Sequence, residues 1–285
     1  MTSKFYSAAV AARRWILDLY WRLRALPDDY PAWRADRDSR HLYRRLSEGE
    51  LRAARKSDTV FVCGTGYSVL DISPEQWARI GRHDVLSFRD FPRQNFVKAD
   101  FHVTGEIDDV DQYAAAINDN PLYDDTLFLV QEGIKAVMGN RLLGWRKLRA
   151  GRPVYRYRRR GRGMMIPFSR SFDEGVVHGF GSIVGVVNIA YLLGWKHIVL
   201  VGIDLYDHRY FFMPPDQTRD VEKAGLTYAS AFTQGNQIVD HLGMWHDLMR
   251  NEGVQLHAYN PRSLLTKRLP VFDWSLVADP SPSQK

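Results

Sequence analysis

The sequence has few of the features that mark several common protein classes. Its 285 residues include one cysteine, Cys63, which excludes an internal disulfide framework and favours a reducing compartment. It has no run of 18 apolar residues, so no membrane-spanning helix is expected. Arg13 and Arg14 interrupt the apolar amino-terminal stretch and no clear cleavage pattern follows, which argues against a signal peptide. We therefore expect a cytoplasmic protein.

Positive charge is concentrated in two segments. The formal net charge is +6, yet residues 1–56 carry 13 Lys and Arg against seven acids, and residues 146–162 carry nine against none. The rest of the chain carries 17 basic and 26 acidic residues, a net of −9. An acidic body with two basic segments does not indicate a nucleic-acid-binding fold.

The amino-terminal segment has the pattern of an amphipathic helix. Apolar residues recur at three- and four-residue steps over 5–26, and Pro27 ends the pattern. Its arginines alternate with Trp15, Tyr20 and Trp21, a combination suited to an anionic membrane surface. A helix packed on the main domain is the alternative. A second helix is expected near Ser39–Ala54.

From Thr59 onward the pattern predicts alternating strands and helices. Buried strands are expected at 59–63, 84–88, 100–103, 126–130, 197–201 and 254–259, and helices at 110–118, 131–148, 182–193 and 236–251. Ser73, Pro74 and Gln76 form a further helix start with a capping box. The predicted fold is α/β, with a Rossmann-like, mostly parallel sheet covered by helices on both faces.

Three segments at predicted strand ends are candidate binding sites, because ligands of parallel sheets bind outside the carboxyl ends of the strands. Gly64-Thr65-Gly66-Tyr67-Ser68 lacks the third glycine of the dinucleotide fingerprint, so it is either another nucleotide turn or a structural turn. Gly179-Phe180-Gly181-Ser182 precedes a helix with Ser182 as the expected N-cap, which suits phosphate binding or ordinary capping. Gly202-Ile203-Asp204-Leu205-Tyr206 offers a carboxylate for a ribose hydroxyl or for holding a loop.

These segments together resemble the bacterial sialyltransferases of glycosyltransferase family 42 and a related superfamily of motility-accessory glycosyltransferases and pterin-pyrophosphokinase-like proteins. The resemblance is best over Gly181–Tyr206, especially Leu193-Gly194-Trp195-Lys196-His197-Ile198, and it includes Asn260-Pro261-Arg262-Ser263-Leu264-Leu265. It implies an inverting, metal-independent enzyme in which an acceptor hydroxyl attacks the anomeric carbon and CMP leaves. No cofactor is implied beyond the CMP-sugar donor.

The resemblance also assigns residues to roles. Two tyrosines that bind the departing phosphate correspond to Tyr206 and, less directly, Tyr210. The nucleotide-binding positions correspond to Gly64, Thr65 (where asparagine is usual), Gly66, Ser68, Arg89, Gly181, Ser182, Gly202, Ile203 and Asp204.

Besides Thr65, three positions depart from the family pattern. Arg89 stands where a donor-binding asparagine is usual, and Gly179 or His178 where an arginine is expected. Gly235-Asn236 replaces the Gly-His that supplies the general base, and asparagine cannot accept a proton at neutral pH. His208 and His241 are the candidate bases; another group, or no catalysis, is the alternative.

Two further features have competing interpretations. Asp109-Val110-Asp111 resembles the Asp-x-Asp that holds a divalent cation in metal-dependent glycosyltransferases, but acids in a first helical turn are favoured by the helix dipole alone. The basic segment 146–162 is expected to be an exposed loop that binds an acidic glycolipid or membrane surface, or is merely solvated.

The sequence therefore predicts a basic helical appendage (1–56), a Rossmann-like glycosyltransferase domain (57–275) with a basic loop at 146–162 and a lid at about 207–236, and a disordered tail (276–285). The expected reaction transfers a CMP-activated ulosonic acid, of sialic acid or Kdo type, to a surface glycan or its lipid-linked precursor. The expected location is the inner face of the cytoplasmic membrane, held there by 5–26 and 146–162, with a homo-oligomer left open. The alternatives are a pyrophosphokinase-like enzyme using ATP and Mg²⁺, and a non-catalytic nucleotide- or glycan-binding scaffold.

Overall fold

The computed structural model describes residues 27, 29–105, 109–134, 136–206, 209–213 and 233–277, the side chains of 233–236 excepted. The predicted helix 5–26, His208, most of the predicted lid and residues 278–285 lie outside this part of the chain. Within it, no helix combines the length and the apolar character that crossing a membrane requires.

Eight parallel strands form one sheet, which confirms the predicted fold class. In the order of the sheet they are β1 (Arg44–Arg45), β6 (Pro153–Tyr157), β5 (Leu127–Gln131), β4 (Phe101–Thr104), β3 (Asp84–Phe88), β2 (Thr59–Cys63), β9 (His197–Val201) and β10 (Gln255–Ala258). The central strands β2 and β3 are buried throughout, as their β-branched and aromatic side chains require in a sheet covered on both faces.

Helices cover both faces of this sheet. Helices α2 (Glu48–Ala53), α6 (Ser182–Leu193) and α7 (Thr233–Arg250) share one core with the side chains of one face, where Trp195, Trp245 and Leu51 are fully buried. Helices α3 (Pro74–Ile80), α4 (Val110–Asn118) and α5 (Val137–Gly144) cover the other face. The capping box predicted at Ser73 is present, with Pro74 opening α3.

A separate pair of parallel strands lies beside the main sheet. Strand β7 (Arg159–Arg162) pairs with β8 (Val176–Gly179), and β8 leads directly into α6. This pair carries the carboxyl half of the basic segment towards the amino terminus of α6.

The segment 146–162 is therefore not the exposed basic loop that was expected. Val154 and Tyr157 of β6 are buried, and Arg152 is buried with its guanidinium donating to the carbonyl oxygens of Tyr123 and Asp124. The dense positive charge hides the strand pattern in the sequence. The charge is compatible with strands because several of these arginines have hydrogen-bond partners inside the fold.

The amino-terminal region also differs from its prediction. In place of one helix over 39–54, helix α1 (residues 29–39) is followed by strand β1 and then by α2. Since β1 belongs to the main sheet, the described part of 1–56 is integrated into the domain. At the other end, Val277 is buried, so the domain extends slightly past the predicted boundary at 275.

The helix predicted over 131–148 is shorter than expected. Strand β5 continues to Gln131, and Gly133 has a φ of 118°, a conformation that a helix does not contain. Helix α5 accordingly begins only at Val137 and ends at Gly144.

Candidate functional site

The glycine turn after β2 lies where the strand order of the sheet changes direction. From β2 the chain builds outward through β3, β4 and β5, whereas β9 and β10 lie on the opposite side of β2. The amides of Gly64 and Gly66 donate to the carbonyl oxygens of Val201 and Gly202, each at 2.8 Å. Such a switch point is where open α/β sheets place their ligands.

Gly66 is required by this close approach. A β-carbon there would lie 2.5 Å from Oδ2 of Asp204 and 2.6 Å from the carbonyl oxygen of Gly202. Gly202 itself has a φ of 65°, in the left-handed region that favours glycine. The glycines thus let two loops pack backbone against backbone at the switch point.

Asp204 holds these two loops together. The side chain is buried, and Oδ2 accepts from the backbone amide of Ser68 at 3.0 Å. Oδ1 accepts from the Ser68 hydroxyl at 2.5 Å and from the amide of Asn260 at 3.0 Å. The sequence left open whether the Asp204 carboxylate binds a ribose hydroxyl or holds a loop. These contacts are those of a carboxylate that holds a loop.

Both predicted tyrosines lie beside the turn. Tyr206 is buried, and its hydroxyl accepts from the side-chain amide of Asn260 at 3.3 Å. The backbone of Tyr210 forms an antiparallel bridge with Gly66, and its ring stacks on Phe212 with centroids 5.5 Å apart. Tyr210 thus contacts the turn directly, and Tyr206 is connected to it through Asn260 and Asp204.

Ser182 lies at the amino terminus of α6, in its first turn. The N-cap is Gly181 and not Ser182 as predicted, and no side chain caps this end. The Ser182 side chain instead lines a narrow cavity together with Phe88, Gly105, Gln131, Arg159 and His178. The partial positive charge of a helix amino terminus favours an anion at this position.

Three arginines lie in this cavity or close to it. Arg89 follows β3 with a φ of 53°, and a β-carbon on Gly105 would lie 3.3 Å from its Cγ and 3.4 Å from Oγ of Ser182. Arg159 of β7 lines this cavity and an adjoining one of about 180 Å³, which Arg162 also lines. The result is a cationic cleft along the carboxyl ends of β3, β4 and β5.

Phe88 connects this cleft to the glycine turn. Its ring lines the Ser182 cavity, and its Cζ would lie 3.2 Å from a β-carbon on Gly64. Ile203 packs against Gly64 from the other side. The turn, the start of α6 and the arginines are thus parts of one continuous site.

His178 is neutral at physiological pH. Burial, reinforced by the positive charges of Arg159 and Arg162, lowers its pKa to about 3. Its Nδ1 lies 3.5 Å from a guanidinium nitrogen of Arg159. A neutral imidazole between arginines leaves the cleft cationic without adding a further charge.

His241 is enclosed in the core and is not brought to this cleft. Its Nε2 donates to the carbonyl oxygen of Ile166 at 2.9 Å, and burial lowers its pKa while that hydrogen bond raises it. Its Nδ1 is buried without a partner and faces Gly179, where a β-carbon would lie 2.6 Å away. The other candidate base, His208, lies outside the described residues.

The Asp-x-Asp motif has structural roles. Asp109 is the N-cap of α4 and accepts from the amides of Asp111 and Gln112, while Asp111 pairs with Lys147 at 2.6 Å. Across the described ranges, no group of three or more His, Cys, Asp or Glu side chains is placed to hold a metal ion.

Sequence reasoning missed four residues of the site, namely Arg159, Arg162, Gln131 and Asn260. The sequence pattern predicts a surface loop for the two arginines, because nothing local indicates that β7 pairs with β8 next to α6. Asn260 was noted only as part of a matching turn, although an asparagine before proline at a strand end was a usable signal.

The fold and the cleft define a Rossmann-like α/β protein with a cationic, glycine-lined site at the switch point of its sheet. No family model and no curated protein matches the sequence. Among solved structures, the chain is similar to a tyrosine-to-phenylalanine variant of the sialyltransferase CST-II in complex with CMP (TM-score 0.42) and to an asparagine-to-alanine variant of it, also with CMP (TM-score 0.44). Each comparison has 16% sequence identity and covers 75% of this chain and 86% of the other.

Proposed function

We propose that this protein is an inverting glycosyltransferase that moves a CMP-activated ulosonic acid to a glycan acceptor. The observation that carries the proposal is the joint position of the glycine turn, the amino terminus of α6 with Ser182, and the arginines Arg89 and Arg159. A CMP-ulosonic acid carries a phosphate and a carboxylate, and this cleft offers cationic and helix-terminal groups for both. The choice of CMP comes from the sequence resemblance.

In the proposed reaction, an oxygen of the acceptor forms a bond to the anomeric carbon as the bond from that carbon to the CMP phosphate oxygen breaks. Negative charge accumulates on the departing phosphate. Hydrogen bonds from Tyr206 and Tyr210 and the field of the neighbouring arginines stabilise that charge, because donors fixed in place before the reaction need no reorganisation. We propose no cofactor and no metal ion for this step.

The acceptor hydroxyl must also lose its proton to a base. The buried Nδ1 of His241 and the hydrogen bond at its Nε2 argue against that residue, so we propose His208 as the base. Asp204 is proposed as a positioning residue that keeps Ser68 and the turn in place.

Calorimetric titration of the full-length protein tests the proposal. CMP is expected to bind equally well with EDTA and with Mg²⁺, whereas ATP with Mg²⁺ is expected to bind more weakly. Arg89→Ala is expected to weaken CMP binding about tenfold, since charged hydrogen bonds are worth about 1.5–3 kcal/mol. Arg250→Ala, on the exposed end of α7, is the matched control.

Three results would contradict the proposal. The first is the absence of CMP binding under either condition. The second is tight binding of ATP only with Mg²⁺, which would favour the pyrophosphokinase-like alternative. Binding of CMP without transfer to any acceptor would favour a nucleotide-binding scaffold.

We also propose that the protein lies on an anionic membrane surface through the basic amphipathic segment 5–26. The segment 146–162 contributes less to that surface than its charge suggests, because Arg152 and Arg156 have partners inside the fold and Arg159 and Arg162 line the cleft.

A further inference from the structure

A second cavity, of about 400 Å³, lies beside the proposed donor cleft. It opens at the carboxyl ends of β1, β5 and β6, and its wall includes Arg40, Arg45, Arg158, Glu132, Asp173 and Tyr155. The volume is within the range of about 300–1,000 Å³ found for small-molecule sites. Nothing in the proposed donor chemistry uses this cavity.

Neighbouring residues of the chain line different cavities, because successive side chains of an extended segment point to opposite sides. At the end of β5, Gln131 lines the donor cleft and Glu132 the second cavity; at the start of β7, Arg159 lines the cleft and Arg158 the second cavity. Tyr157 lines both. A ligand in the second cavity would therefore be a direct neighbour of a donor in the cleft.

The second cavity has an excess of positive charge. Arg40 pairs with Glu132 at 3.4 Å, and Arg156 pairs with the fully buried Asp36 at 2.7 Å. Arg45 and Arg158 are exposed and have no ion-pair partner within the described part of the chain. Nη2 of Arg156 is buried there without a hydrogen-bond partner in the structure. These guanidinium groups suit a carboxylate, which they bind with fixed geometry.

The remaining wall suits a sugar ring. The carboxylate of Asp173, on an exposed residue, and that of Glu132 can accept hydrogen bonds from ring hydroxyls. Tyr155 and Phe172 pack edge to face with centroids 4.9 Å apart and supply an apolar surface. Guanidinium, carboxylate and aromatic groups in one cavity match a ligand that carries an acid, hydroxyls and a ring.

We propose that this cavity binds an acidic, carboxylate-bearing sugar unit of the acceptor glycan, and that Arg45 and Arg158 bind its carboxylate. The acceptor role rests on the proposed function; binding of the acidic sugar does not. The two cavities would then hold the acceptor and the donor side by side along the carboxyl edge of the sheet.

The test compares two trisaccharides on the full-length protein by saturation-transfer NMR titration. The acidic probe is trigalacturonate and the neutral probe is maltotriose. Trigalacturonate is expected to bind, with maltotriose at least about tenfold weaker. Arg45→Ala and Arg158→Ala are each expected to weaken trigalacturonate binding about tenfold, since each removes a charged hydrogen bond. Both residues are exposed, so the melting temperature and the CMP affinity are expected to stay unchanged.

The outcomes separate this proposal from the proposed function. Failure of trigalacturonate to bind the native protein, equal binding of the two sugars, or equal binding by the native protein and a double variant that combines Arg45→Ala with Arg158→Ala would each overturn the acidic-sugar site. Arg250→Ala controls for the general loss of one positive charge. Arginine-dependent trigalacturonate binding in a protein that does not bind CMP would support the site and contradict only the transferase proposal.

Discussion

Asp204 joins three parts of the chain that are far apart in sequence. Its carboxylate accepts hydrogen bonds from the backbone and hydroxyl of Ser68 and from the amide of Asn260, all in a buried environment. Because the backbone N–H of Ser68 and the Asn260 amide nitrogen can only donate, and they donate to different carboxylate oxygens, both oxygens at position 204 must accept.

Asp204→Asn is therefore expected to lower the free energy of unfolding by about 2–3 kcal/mol, since the new amide places a donor against a donor. Denaturant unfolding of both proteins measures this difference. The control is Asp58→Asn, at an exposed pair with Lys196, which is expected to cost less than about 1 kcal/mol. Equal effects of the two substitutions would show that the carboxylate does not hold the turn.

The two candidate bases are expected to respond differently to isosteric substitution. His208→Asn is expected to lower turnover by about 100-fold or more while leaving CMP affinity unchanged, as the loss of a general base does. His241→Asn removes a hydrogen bond to Ile166 and packing against Trp245, so it is expected to lower stability by about 1–3 kcal/mol.

Turnover measured per folded molecule, with denaturant unfolding alongside, separates these two effects. A large loss of turnover in a stable His241→Asn protein, with His208→Asn active, would reverse the assignment.

At the scale of elements, helix α1 is attached to the edge of the sheet by a buried ion pair. Both carboxylate oxygens of Asp36 lie 2.7 Å from Nη1 of Arg156 on β6, and Ser39 donates to the carbonyl of Leu143 at 3.1 Å. These contacts make the region of 29–53 part of the domain.

Asp36→Ala is expected to lower the free energy of unfolding by about 3 kcal/mol, because it leaves the Arg156 guanidinium buried without its counter-charge. The double variant Asp36→Leu with Arg156→Met is expected to be more stable than Asp36→Ala, since it removes both charges. Denaturant unfolding of the three proteins checks the order. A single variant as stable as the native protein would mean that the pair does not anchor α1.

Strands β6 and β7 show why some elements were not predicted. Three of the four residues of β7 are arginines, and β6 lies in the same run of positive charge, so the local pattern is typical of a solvated loop. Val154 and Tyr157 nevertheless bury their side chains in the two cores of the sheet. The pairing of β6 with β1 and β5, the pairing of β7 with β8 and the buried Asp36 make that arrangement favourable, and none of these partners is visible in the segment itself.

At the scale of the whole molecule, several buried histidines are expected to make the fold sensitive to acid. Burial lowers the pKa of His102 to about 3 and, with the neighbouring His197 and His246, that of His257 to about 4; the pKa of His178 is about 3 for the reasons given above. In the unfolded chain a histidine has a pKa of about 6.5. Between these values the unfolded state binds more protons, so stability is full above about pH 6.5 and falls as the pH falls.

We expect each fully buried histidine such as His102 to lower stability by about 1.4 kcal/mol for each pH unit below 6.5. Thermal unfolding at pH 7.5, 6.0 and 5.0 is expected to show a melting temperature that decreases steadily on acidification. A melting temperature that is constant or rises over that interval would contradict the burial of these side chains.

Membrane attachment is expected to depend on the amino-terminal arginines. Replacing Arg13, Arg14, Arg22 and Arg24 with Gln is expected to weaken binding to vesicles containing phosphatidylserine by about fivefold per arginine, from about 1 kcal/mol each. Co-sedimentation of the full-length protein measures this. As the control, Arg160→Gln, whose arginine pairs with Glu174 at 3.4 Å, is expected to change binding little. A larger loss of vesicle binding in the control would show that segment 146–162 makes the membrane contact.

The amino-acid sequence by itself determined the parallel α/β fold, because buried strands such as 59–63, 84–88 and 197–201 and the helices between them carry their periodicity locally. It also identified the glycine turn, Asp204 and Ser182, because each of them directly follows a predicted strand or begins a predicted helix. Tertiary structure decided the rest. That Asp204 accepts from Ser68 and Asn260, that His241 is enclosed, and that Arg159 reaches the start of α6 all depend on contacts between residues distant in the chain. The basic segment 146–162 has the pattern of a surface loop, yet it contributes strands to both sheets. Its pairing partners lie elsewhere in the sequence, so the segment alone does not reveal them.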